Sequence, residues 1–85
     1  MVPFRTEIRN SPKEQTIKVY LNDISLDQQV KAFLNKISDI KLIEIQNSVA
    51  QNRAEENLTV FKKEGVDINQ LKKEIDQQLG TYFSN

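Results

Sequence analysis

The sequence predicts an α+β fold: a small β-α-β-β sheet with one packed helix, followed by a C-terminal amphipathic helix. Four observations carry that expectation. Thr16-Ile17-Lys18-Val19-Tyr20-Leu21 alternates apolar and polar residues with the period of two of a strand. Leu26, Val30, Phe33, Leu34 and Ile37 recur at the three-to-four spacing of one helical stripe. Residues 40–46 form a second β-branched run, and Ile68, Leu71, Ile75, Leu79 and Tyr82 form a second helical stripe. At 85 residues the chain is expected to be one domain. Its expected parts are an N-terminal arm over 1–15, an α+β core over 16–64, and a C-terminal helix and tail over 65–85.

Both prolines, Pro3 and Pro12, lie in the first segment, and Asn10-Ser11-Pro12 reads as a turn. Phe4, Thr6 and Ile8 alternate as a short edge strand would. A loosely held arm is nevertheless the expectation, because termini are often mobile. In the strand at 16–21, Ile17, Val19 and Leu21 share a face that seeks a core. Ser25-Leu26-Asp27-Gln28 then matches a capping box, so a helix should begin there and stop near Ser38-Asp39.

The run Ile40-Lys41-Leu42-Ile43-Glu44-Ile45-Gln46 breaks the alternation, with Ile40 and Leu42 preceding Ile43 and Ile45. That two-sided apolar character suits a central strand or one that meets a partner chain. Residues 47–64 admit two readings: a helix with the imperfect stripe Val49, Ala50, Arg53, Ala54, Leu58 and Phe61, or a polar loop leading to a third strand Leu58-Thr59-Val60-Phe61-Lys62, which is the preferred one. Gly65 should end that strand. Asp67 then offers a cap for the second helix, and Gly80 is placed to stop it before the aromatic tail Thr81-Tyr82-Phe83.

The composition narrows function by subtraction. No His and no Cys means no thiolate metal site, no Ser-His-Asp arrangement and no Cys-His arrangement within the chain. The two glycines are isolated, so no phosphate-cradling loop is present. Glu55-Glu56 sits among polar neighbours and reads as a solvated pair. Asn22, Asp23, Ser25 and Asp27 offer oxygen ligands, but they lack the glycine turn of a calcium loop and are explained by helix capping. No metal and no cofactor are expected, and no catalytic residue is assigned. Twelve basic residues balance twelve acidic ones, which disfavours nucleic acid held by a diffuse positive field. The longest apolar runs are too short for a signal peptide or a membrane span, so a cytoplasmic location without membrane attachment is the expectation.

The order of strand, helix, strand, polar stretch and strand is carried by residues 16–21, then Val30-Lys31-Ala32-Phe33-Leu34, then residues 41–50, and finally Leu58-Thr59-Val60-Phe61. Over about Thr16 to Lys63 this pattern resembles a family of very small sporulation-expressed proteins of Gram-positive bacteria and their phages. The resemblance implies a strand-helix-strand-strand unit and a sporulation or phage setting. It implies no catalytic residues. The chain departs from the family pattern at Asn57-Leu58-Thr59, and it adds the N-terminal arm and the second helix.

A short chain without disulfide or metal commonly gains stability by association. The expected function is therefore that of a non-enzymatic interaction protein, a homo-oligomer that also binds an unidentified protein. The surfaces assigned to association are Ile40 and Leu42, the seam Ile68, Leu71, Ile75 and Leu79, and the pair Tyr82 and Phe83; the alternative is that the same residues close a monomeric core, since an apolar helix face serves either end. Two alternatives stand beside it. One is a ribbon-helix-helix-like DNA-binding regulator, with the 16–21 strand paired across a dimer and Lys18 and Tyr20 facing the groove. The other is a small-molecule sequestering protein that holds an anionic ligand with Asn47, Gln51, Asn52 and Arg53.

Overall fold

The computed structural model describes residues 3–45 and 58–84. Its elements are β1 (Phe4–Asn10), β2 (Gln15–Leu21), a 3-10 turn (Ile24–Leu26), α1 (Asp27–Leu34), β3 (Ile40–Ile45), β4 (Leu58–Lys62) and α2 (Ile68–Ser84). The four strands form one antiparallel sheet in the order β1-β2-β4-β3. Because β4 runs antiparallel to both β2 and β3, those two are parallel to each other, and α1 links them. The α+β class therefore holds, with a fourth strand added to the expected three.

Alternation decides where the core sits. Ile17, Val19 and Leu21 of β2 are buried, as are Leu58 and Val60 of β4, with Ile17 opposite Val60 and Val19 opposite Leu58. Ile43 of β3 joins them opposite Val60. Both helices cover this one face: Val30 and Leu34 come from α1, and Ile68, Leu71, Ile75 and Leu79 from α2. The broken alternation in 40–46 has a local cause. The ladder shifts between Ile40 and Leu42, leaving Lys41 as an extra residue. Such a bulge turns Ile40 and Ile43 inward together although they lie three apart, and it leaves Leu42 outside.

The expected N-terminal arm is instead a strand. β1 pairs with β2 along its whole length, from Phe4 opposite Leu21 to Asn10 opposite Gln15. The turn is held by Ser11, whose N–H and Oγ both donate to the Glu14 carbonyl, at 3.0 and 2.8 Å. A helix from the far end of the chain then grips the strand. Thr6 Oγ1 donates to Asp76 Oδ1, and the Phe4 ring stacks on Phe83 with centroids 5.7 Å apart.

Three helix boundaries also differ from expectation; one is the end of α1, which stops at Leu34 with Asn35 as its C-cap, short of Ser38-Asp39. Leu26, not Ser25, is the residue before α1, and it makes no side-chain cap. The chain tightens one step earlier: Asp23 Oδ1 accepts from the Ser25 N–H at 3.0 Å and from its hydroxyl at 2.6 Å, at the start of the 3-10 turn. At the other end, Gly80 does not stop α2, which runs to Ser84. An interior glycine costs about 1 kcal/mol. Ring packing beyond it opposes that cost, with Tyr82 against Phe33 at 4.8 Å and Phe83 against Phe4. Gly65 does act as a terminator, at φ +81°, in the turn between β4 and α2. Asp67 caps α2 by accepting from the Asn69 N–H at 2.9 Å.

Two outcomes follow from this packing. Leu71→Ala, at a site 1% exposed, should cost about 2–5 kcal/mol in urea unfolding, whereas Leu42→Ala should stay within about 0.5 kcal/mol. The Ser25 hydroxyl, and then the Ser25 N–H, hold the Asp23 carboxyl below its ordinary value. A depressed folded value means that this stabilisation is complete above about pH 4 and is lost as pH falls through the folded value. Unfolding titrations at neutral and acid pH should therefore show Asp23→Asn less stable than wild type at neutrality, with the gap closing on acidification.

Candidate interaction surface

The strand positions that alternate with the core lie on the opposite face of the sheet, which no described element covers. The registers arrange them in rows across the strands. One row runs Arg9, Thr16, Phe61, Leu42, and the next runs Glu7, Lys18, Thr59, Glu44. A third holds Arg5 opposite Tyr20. The first row thus ends in an apolar pair, Phe61 and Leu42. Leu42 is 40% exposed, the exposed large hydrophobic residue among those described. Phe61 beside it is half-buried.

The polar groups of this face largely satisfy one another. Tyr20 lies under Arg5, whose guanidinium sits 4.3 Å from the ring centroid. Arg9 Nη2 donates to the Tyr20 hydroxyl at 3.0 Å, and Arg9 Nε pairs with Glu7 Oε1 at 2.8 Å. In the central row Lys18 Nζ donates to Thr59 Oγ1 at 2.8 Å. Thr59 is only 2% exposed although it faces away from the helices. A buried hydroxyl needs such a partner, and the lysine head supplies it while its stem covers the strand.

The residues expected to form interaction surfaces divide among different places. Leu42 is on the uncovered face. Ile40 is buried by the bulge. Ile68, Leu71, Ile75 and Leu79 do not form an outward seam: all four are buried against the chain's own sheet. Their spacing is that of a core stripe, and the sheet fills the role expected of a second chain. Tyr82 and Phe83 are half-buried in a ring cluster with Phe33 and Phe4, where the Tyr82 hydroxyl donates to Gln29 Oε1 at 3.3 Å. Asn47, Gln51, Asn52 and Arg53, the expected polar ligand loop, lie outside the described residues, as does Glu55-Glu56.

The ribbon-helix-helix geometry needs a first strand that pairs across a dimer. Here the strand containing Lys18 and Tyr20 has β1 on one edge and β4 on the other, so no edge is open for that pairing. Arg5, Glu7, Arg9, Thr59 and Phe61 belong to the face without any motif in the sequence to mark them. Their signal is positional: each occupies the outward phase of a strand whose inward phase is apolar. A second concave area, lined by Asp39, Gln70, Lys73, Glu74 and Asp76, runs along the polar side of α2. It carries mixed charge on solvent-facing residues. Among the described residues no three Asp or Glu side chains converge as a metal site would require. Among them, too, no helix is long and apolar enough to cross a membrane.

Compared with family models, with curated proteins and with solved structures, the chain finds no match in any of the three. The resemblance noted from the sequence therefore rests on the residues quoted for it.

The Lys18–Thr59 bond gives this face a measurable coupling. A double-mutant cycle with Lys18→Met and Thr59→Val should return an interaction of about 0.5–1.5 kcal/mol in chemical unfolding, with Lys18→Met alone costing more than the pair of changes together.

Proposed function

We propose that this chain is a non-enzymatic interaction protein that self-associates and binds another protein on the uncovered face of its sheet. The observation that supports this most directly is the Phe61–Leu42 pair, an apolar patch beside rows that hold the Arg9–Glu7 ion pair and the Lys18–Thr59 bond. An apolar centre with a polar surround is how protein interfaces are commonly built. The surround is mixed in sign: Arg5, Arg9 and Lys18 stand with Glu7 and Glu44. That balance favours a partner surface of mixed charge over a polyanion. The Tyr20 ring, which could otherwise stack on a base, already carries Arg5.

The absence of His and Cys supports the non-enzymatic part of the reading. A phage or sporulating Gram-positive setting is what the sequence resemblance implies, and a cytoplasmic location goes with it.

The test uses immobilised wild-type protein, Leu42→Asp, and Gln78→Asp on the polar side of α2 as a control, each presented to extract of the source cell. Material held by the wild type and by Gln78→Asp should be reduced about tenfold or more on Leu42→Asp, since a charge in a desolvated interface centre is strongly unfavourable. Equal retention on all three would remove the sheet face from consideration. Captured material that disappears on nuclease treatment, and whose binding falls steeply with salt, would replace the protein partner by nucleic acid.

A further inference from the structure

The sheet itself restricts where the self-association proposed above, on which this inference rests, can happen. β1 and β3 are the two edge strands. β3 carries the bulge at Lys41, which interrupts its outer row of backbone groups. β1 pairs without a shift over seven residues. Its phase can be read at both ends: the Asn22 N–H donates to the Pro3 carbonyl at 2.9 Å, and the Ser11 N–H donates to the Glu14 carbonyl at 3.0 Å. Both bonds belong to the register of β1 with β2, so the odd-numbered positions direct their backbone groups toward β2. Phe4, Thr6, Ile8 and Asn10 therefore direct theirs away from the sheet.

We propose that this edge pairs antiparallel with β1 of a second copy of the chain, on a two-fold axis at Thr6. The outward backbone groups require even positions to meet even positions, and of the two-fold registers that do so, those centred on Thr6, Glu7 or Ile8 overlap most of the strand. Centring on Glu7 sets Glu7 against Glu7 and Arg5 against Arg9, like charge on like charge. Centring on Ile8 sets Glu7 opposite Arg9, but it places Arg5 opposite Ser11 and leaves Phe4 beyond the partner strand. Centring on Thr6 sets Arg5 opposite Glu7 of the second copy, twice by symmetry, on the uncovered face. On the helix-covered face it sets Phe4 opposite Ile8, again twice. The Arg5–Glu7 pairs fall at non-hydrogen-bonded positions, where facing residues approach most closely, about 4.5 Å between Cα atoms. The Thr6 register is thus the one that combines opposite-charge pairs with two Phe4–Ile8 contacts. The resulting dimer has one continuous eight-stranded sheet, with the two Phe61–Leu42 patches on the same side.

Sedimentation of the full chain tests this with wild type, Arg5→Glu, Glu7→Arg, the double exchange R5E/E7R, and an equimolar mixture of the two single variants. Wild type should dimerise, and each single change should raise the dissociation constant about tenfold or more, because like charges then face each other. The double exchange should recover the dimer. The mixture should form a heterodimer, since the two carboxylates that the R5E strand carries at these positions would then meet the two guanidinium groups of the E7R strand. An independent variant, Thr6→Cys, places the chain's one cysteine on the axis. Mild oxidation should join it covalently, because facing Cα atoms at about 5.5 Å suit a disulfide. A wild type that stays monomeric at high concentration would overturn self-association as a whole. A wild-type dimer indifferent to both single changes, and not cross-linked through Thr6→Cys, would leave self-association standing and overturn the β1 edge.

Discussion

The constraint that the rest of the molecule depends on is that its strands are predominantly apolar in one phase, with Phe61 and Leu42 the apolar pair of the other. Ile17, Val19 and Leu21 alternate with Lys18 and Tyr20, and Leu58 and Val60 alternate with Thr59 and Phe61. Most of the gain from burial within the chain then lies on one side of the sheet, at roughly 25 cal/mol per Å² of apolar surface. Both helices are drawn to that side, and their stripes are consumed in covering it. Any strand surface left for other molecules is therefore on the side the helices do not reach, or along the margins of the sheet. The placement of Leu42 and Phe61 outside is a consequence of the same pleat that places Ile43 and Val60 inside.

A second dependency joins the two ends of the chain. Phe4 and Thr6 near one end meet Phe83 and Asp76 near the other, and Lys72 steadies the Asp76 carboxylate at 2.9 Å. These are partly exposed contacts, each of modest strength. Their effect is positional. They hold β1 flat against β2 and hold the last turn of α2 in place past a glycine that would otherwise favour fraying.

Much of this is legible in the sequence where the signal is local. The 16–21 strand, the first helical stripe and the core stripe of α2 follow from spacing alone, because periodicity reports which side of an element is buried, whereas at 58–62 the spacing leaves helix and strand both open. What spacing cannot report is the distant group that does the burying. Phe4, Thr6 and Ile8 alternate, yet the carboxylate that fixes Thr6 lies seventy residues away, so the segment reads as an arm. The seam of α2 reads as an association surface for the same reason: an apolar stripe does not say whether its cover belongs to the same chain. The candidate face is harder still to read. Its residues are ordinary polar strand positions, and they become a surface only when the register sets Arg5 beside Tyr20 and Leu42 beside Phe61. Of the residues assigned to association, Leu42 is the one that reaches open surface on this face.

The bulge at Lys41 has a consequence for the kind of assembly open to such a chain. A sheet with two regular margins can add copies at both and grow without limit, as fibres do. Here one margin is regular and the other is kinked by an inserted residue. Growth through backbone pairing would then halt after a single addition, giving a closed particle of defined size in place of a polymer. A change that removed the extra residue and straightened the kinked margin would reopen the route to open-ended stacking.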